Sequence, residues 1–236
     1  MQADYSVELG RDDPALELPW SSADPAVCYF DLKASPELVH RIPEAASYPA
    51  LRDFLVRVNA PDFPMLTAKC DVWQSRDILP EEEIFGAEFK FASYIDLAYT
   101  SQQFQNSFEK HEELVQDLCR LLKCAPELLA SIDLVIRHCY YHDEDHHDEQ
   151  HHDGGHHDEG HHDEGHHDEQ HELPPAEADH ADSRCGFSIT AYVFGFGSSA
   201  DGAVKISSIA LNLLQHALIQ ASNRLSQSNT RDADRI

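Results

Sequence analysis

The side chains best suited to chemistry in this sequence are gathered in one repeat. From His146 the chain reads HHDEQ, HHDGG, HHDEG, HHDEG and HHDEQ, closing on His171-Glu172. The second histidine of each pair and the first of the next stand four residues apart, as His147 and His151, His152 and His156, His157 and His161, His162 and His166, His167 and His171. In a helical turn such a pair shares one face and can chelate an ion. Neutral imidazole suits borderline divalent ions, with Zn²⁺ and Ni²⁺ foremost and Cu²⁺ beside them, while the interleaved carboxylates supply charge and oxygen ligands.

Five residues carry a helix about 140° past one full turn, so successive pairs spiral around the axis and form no continuous stripe. The repeat therefore predicts independent, exchangeable sites. His142, His146 and His180 complete a set of thirteen histidines between positions 142 and 180. At about three or four ligands per ion, that set holds three to four metals on an order-of-magnitude count. Imidazole is a poor ligand for hard cations, so Mg²⁺ and Ca²⁺ are expected to bind less well.

The repeat is also a different kind of polymer from the rest of the chain. Between His138 and Ser183 there are 46 residues with no Lys or Arg, 16 carboxylates and 14 of the 17 histidines. Of the formal net charge of −26, the other 190 residues carry −10. Residues 143–172 hold no aliphatic and no Phe, Tyr or Trp side chain. With nothing to bury and glycines at 154, 155, 160 and 165, the segment cannot offset the entropy of ordering. The expected organisation is one domain from residues 1–142 and 184–226, a disordered insertion over 143–183 and a flexible tail over 227–236.

In composition the insertion resembles the histidine-rich loops of zinc transporters and of nickel or zinc chaperones. The resemblance covers the tract alone. The remainder shows neither membrane spans nor the GxxxxGK[ST] loop of nickel-inserting GTPases, so it carries no more than metal handling as an expectation.

Charge and composition narrow the other classes. No continuous apolar run reaches the roughly 18 residues of a membrane span, and the first residues lack the basic and apolar regions of a signal peptide, which points to a cytoplasmic protein without a membrane partner. So negative a chain repels phosphate backbones, and no basic stripe offsets this. Nucleic acid is excluded as an expected partner. Six cysteines in 236 residues are too sparse for a disulfide scaffold and are read as thiols.

The elements that must carry these groups read as α+β with a mostly antiparallel sheet and about four helices. Strands are expected near Tyr5–Glu8 and Cys28–Leu32. Leu66, Ala68, Cys70 and Val72 alternate as one strand face, and Phe89 to Tyr99 as a second strand paired antiparallel with the first. Leu51, Phe54, Leu55 and Val58 recur at helical spacing, as do Phe104, Phe108, His111, Val115, Leu118 and Leu122. Ala125-Pro126-Glu127 reads as another helix start, with Leu128, Leu129, Ile132, Val135 and Ile136 as its stripe, passing into a strand near Tyr141. Residues 185–196 read as a strand and a last helix starts near Asp201. The insertion is then an overgrown connection between two strands.

Outside the tract the constellations are sparser. Cys139, His142 and Cys185 flank its two roots and would make a zinc site if they converged; two buried, inert thiols are the plainer reading. Cys119 and Cys124 sit at a helix end. His111-Glu112-Glu113 begins like a zinc-protease helix, but Val115 stands where the second histidine belongs, and His111 on an apolar stripe reads as a core histidine. Asp96 and Glu81–Glu83 are assigned to solvated faces.

Three readings of function follow, the third being a protein-interaction or pH-responsive module that uses the tract as a charged arm. In the first, the protein binds transition metals through the tract as buffer, store or donor, with a metal-receiving protein as its partner. In the second, the domain is an enzyme or small-molecule-binding module using groups such as Asp71, Asp96, His111 and His138, and the tract is an inert expansion. A pocket containing two of those four groups would favour the second.

Overall fold

Continuous runs of β-branched and aromatic residues on either side of the histidine repeat build the two longest strands. The computed structural model describes residues 1–24, 28–142 and 183–233. Within them, β1 (Gln2–Glu8), β2 (Leu16–Leu18), β3 (Met65–Ser75), β4 (Phe89–Tyr99), β5 (Ala130–His142) and β6 (Ser183–Gly197) form one sheet in the order β1-β5-β6-β4-β3. β2 continues the edge made by β1, and both run parallel to β5. The pairs β5–β6, β6–β4 and β4–β3 are antiparallel. The fold is therefore α+β with a mostly antiparallel sheet, as the sequence implies.

Five α-helices and two short 3₁₀ turns accompany the sheet among the described residues. They are α1 (Pro43–Ser47), α2 (Pro49–Val58), α3 (Gln102–Gln105), α4 (Phe108–Lys123) and α5 (Ala200–Ala233), with 3₁₀ turns at Pro36–Arg41 and Pro80–Phe85. The stripe Leu51, Phe54, Leu55 and Val58 of α2 is buried as its spacing predicts. Leu114, Val115, Leu118 and Leu122 of α4 and Ala210, Leu211, Leu214 and Leu218 of α5 join it over one sheet face, against Ile132, Leu134, Ile136, Ile189, Ala191 and Val193. Gly195 permits the close crossing of α5, because a Cβ there would lie 2.5 Å from the Ala203 carbonyl oxygen and nearer still to the Ser207 backbone nitrogen.

Residues 200–224 of α5 are long and apolar enough, by length and composition, to cross a membrane, where the sequence shows no continuous run of that kind. Ser207, Ser208, Asn212, Gln215 and His216 interrupt the segment, and its apolar side is the one packed on the sheet.

Several expectations need correction. The stripe from Leu128 to Ile136 belongs to no helix: α4 closes at Cys124, and β5 begins at Ala130. The β-branched content of Ile132, Val135 and Ile136 decides for strand in a segment buried on both faces. Residues 28–32 form no strand, and β2 at Leu16–Leu18 takes that role. Phe104 lies in α3, apart from α4, because Ser107 starts a new helix by accepting a hydrogen bond from the Lys110 backbone N–H. In β3 a bulge between Thr67 and Cys70 adds one residue against β4. Cys70 and Val72 therefore pack with the main core, whereas Leu66 and Ala68 join the other face. Finally, α5 extends to Ala233, and Ser183 belongs to β6. The expected disorder of 143–182 and the end of the tail, 234–236, lie outside the described residues.

Candidate functional site

The histidine tract joins two strands that stay paired to their ends, since His142 stands opposite Ser183 in the β5–β6 register. Its departure and return points are thus neighbours, as expected of an overgrown connection. Of the thirteen histidines, His142 is described and half-buried at the end of β5. His146, His147, His151, His152, His156, His157, His161, His162, His166, His167, His171 and His180 lie outside the described residues.

The register decides which groups meet at the root. Cys139 pairs with Gly186, and Tyr140 with Cys185. Paired residues share a face and neighbours alternate, so Cys139 and Cys185 point to opposite sides of the sheet. Cys139 is fully buried beside Leu16, Leu18 and Tyr141, and burial pushes its thiol up to about 12. The convergence of Cys139, His142 and Cys185 that a zinc site would need is not made, and of the two thiols expected to be buried only Cys139 is. His138 takes the place of Cys139: its Nδ1 lies 3.7 Å from the Cys185 sulfur. The His138 ring stacks on Phe187, its register partner, with centroids 5.8 Å apart and planes at 24°. Cys185 is exposed.

The four polar groups of the second reading are divided between the two faces, with His111 and His138 both against Phe187 on the helical side and Asp71 and Asp96 both near Tyr94 on the other. His111 is fully buried on the helical side, its Nδ1 donates to the Ser107 carbonyl oxygen at 2.8 Å, and burial holds its pKa below the ordinary histidine range. It is the core histidine its stripe predicts. Asp96 is not solvated but buried on the opposite face. Thr190 Oγ1 donates to its carboxylate at 2.6 Å. Burial raises the Asp96 pKa, opposed by that bond and by the charges of Arg137 and Lys69. Arg137 donates in turn to Thr190 Oγ1 at 3.3 Å, to Tyr192 Oη at 3.2 Å and to Glu8 at 2.7 Å. This network of Glu8, Arg137, Thr190 and Asp96 crosses four strands, so no local sequence spacing announces it.

A cleft of about 640 Å³ opens beside β3 at the bulge, within the size range of small-molecule pockets. Trp20 Nε1 donates to the Ala68 carbonyl at 3.0 Å and holds the N-terminal segment against the strand. The Lys69 ammonium lies 5.2 Å over the Trp20 ring, and the Arg41 guanidinium 5.0 Å over Phe30. Glu44 and Asp71 balance these two cations in the lining. Cys70 in its wall is held protonated, its pKa pushed up to about 12 by burial and by the charges of Glu44, Asp71 and Asp96. Of Asp71, Asp96, His111 and His138, the cleft contains Asp71 alone.

Among the described residues, no three His, Cys, Asp or Glu side chains gather closely enough to hold a metal ion. The class defined by the fold is an α+β protein with its helices on one face of a mixed sheet and a histidine-rich connection between adjacent strands. No protein family model, curated protein or solved structure matches this chain.

Proposed function

We propose that this protein binds divalent transition metals, Zn²⁺ or Ni²⁺ foremost, weakly and exchangeably through the histidines between positions 142 and 180. It acts as a cytoplasmic buffer, store or donor that passes the ion to a metal-receiving protein. The observation that carries this reading is the pairing of His142 with Ser183. It makes the tract an insertion into a completed strand pair. Thirteen imidazoles set among carboxylates then have metal binding as their best-matched chemistry.

The test is calorimetric titration of the whole protein with Ni²⁺ or Zn²⁺ against a variant whose residues 143–182 are replaced by a short Gly-Ser link. The expected result is about three to four ions bound by the parent at roughly three or four ligands each, and loss of nearly all of them in the variant. Equal uptake by both would overturn the proposal.

The cleft beside β3 is the feature on which a second reading rests, in which the domain binds a small molecule between Trp20, Phe30 and Tyr94. It holds one of those four polar groups, where two would favour this reading, and the Cys70 thiol in its wall is held protonated. Thermal-shift screening, with the Gly-Ser variant as a control for tract binding, separates the two readings.

A further inference from the structure

We propose that His138 and Cys185 form a second metal site, in the folded body rather than in the tract, taking a borderline or soft ion of the Zn²⁺ class. The geometry carries the assignment. Zinc binds cysteine sulfur at about 2.3 Å and histidine nitrogen at about 2.0–2.1 Å. At angles between tetrahedral and trigonal, those lengths separate the two ligand atoms by about 3.5–3.8 Å. His138 Nδ1 and Cys185 Sγ are 3.7 Å apart. That is an ordinary length for a hydrogen bond involving sulfur, so a thiol proton holds the pair at a spacing that a shared ion could occupy in its place.

The two residues occupy diagonal positions on adjacent paired strands, since Cys185 faces Tyr140 and His138 faces Phe187. Their backbones are fixed by the ladder, and the stacked Phe187 ring supports the imidazole. Exposure of Cys185 leaves the remaining coordination positions to water. On binding, the thiol proton leaves to solvent, the sulfur coordinates as thiolate and Nδ1 coordinates through its free lone pair. With two protein ligands the site is open and exchangeable. It uses none of the tract histidines and stands or falls independently of the proposed tract function.

Co²⁺ titration of the full-length protein tests it, because residues 143–182 contain no cysteine and cannot give a thiolate-to-cobalt charge-transfer band. The expected result is such a band at saturation, lost in Cys185→Ser and in His138→Ala but kept in Cys124→Ser. In the parent, Zn²⁺ should also protect Cys185 from iodoacetamide, read by peptide mass spectrometry, while the exposed Cys28 and Cys124 stay reactive. This second readout needs no variant. Absence of the band, its survival in Cys185→Ser or His138→Ala, or undiminished alkylation of Cys185 would each overturn the assignment. Calorimetric uptake by the tract histidines would be unaffected by any of these outcomes.

Discussion

Thr190 on β6 and Asp96 on β4 stand opposite each other in register, and the threonine hydroxyl donates a 2.6 Å hydrogen bond to the buried carboxylate. The same hydroxyl oxygen accepts from Arg137, so one threonine links a cation to an acid on the face away from the helices. Replacing it by valine leaves both partners short of a bond inside the protein. Thr190→Val is expected to cost about 1–3 kcal/mol at neutral pH, read by urea denaturation. A loss within error would place the network in water.

Asp96→Asn should act in the opposite direction, with a definite pH dependence. Burial raises the folded-state pKa of Asp96 above its unfolded value. The stability gained with the neutral acid is therefore fully present below the unfolded pKa of about 3.9 and is lost as pH rises through the folded value. Asparagine keeps an acceptor for Thr190 and never ionises. The variant should match the parent in acid and exceed it progressively as pH rises through that window. Melting curves that stay parallel across the interval would contradict this.

Gly195→Ala is expected to destabilise the protein by about 1–3 kcal/mol, the usual range for overpacking. The added methyl meets backbone atoms of Ala203 and Ser207, and no rotamer change can clear backbone. Chemical denaturation of the variant measures the cost. Near-parental stability would show that α5 can slide away from β6.

The sequence shows the strands that have one buried face and the helices that have one apolar stripe, because those patterns carry a period. It fails where both faces are covered. In β5, Ile132, Leu134, Val135 and Ile136 are all buried, and a continuous apolar run satisfies helical and strand spacing alike. Alternation along the strand assigns Asp96 to solvent, yet β4 lies between β6 and β3 with apolar or networked groups on both sides. At the tract root the composition names the right segments but not the register. A shift of one residue exchanges His138 for Cys139 as the neighbour of Cys185, and register is set by pairing over the whole sheet. The bulge in β3, which builds the cleft, depends equally on the partner strand.

Replacing residues 143–182 by about eight Gly-Ser residues should leave the fold intact and raise its melting temperature. The pairing of His142 with Ser183 already brings the ends together. Shortening the loop about fivefold lowers its closure cost by about 1.4 kcal/mol in the flexible-chain limit. Removing the segment's carboxylates also relieves repulsion with a body that carries −10. Thermal melts in chelator compare the two proteins, and a variant that melts well below the parent would mean that the tract packs on the domain.

Metal uptake by the tract should collapse as the solution is acidified. Free histidine titrates near about 6.5, and a neighbouring carboxylate favours the imidazolium, which moves the metal-free value upward. Each histidine of the repeat has a carboxylate within two residues, so protons compete with the ion close to neutral pH. A ligand set of three or four imidazoles must lose several protons together, which makes the dependence steeper than that of one histidine. Affinity for Zn²⁺ or Ni²⁺ should therefore fall sharply between about pH 7.5 and about pH 5.5. Competition with a chromogenic chelator at a series of pH values measures this directly. A flat affinity over that interval would assign the metal to carboxylates, which stay ionised throughout it, and not to the paired histidines.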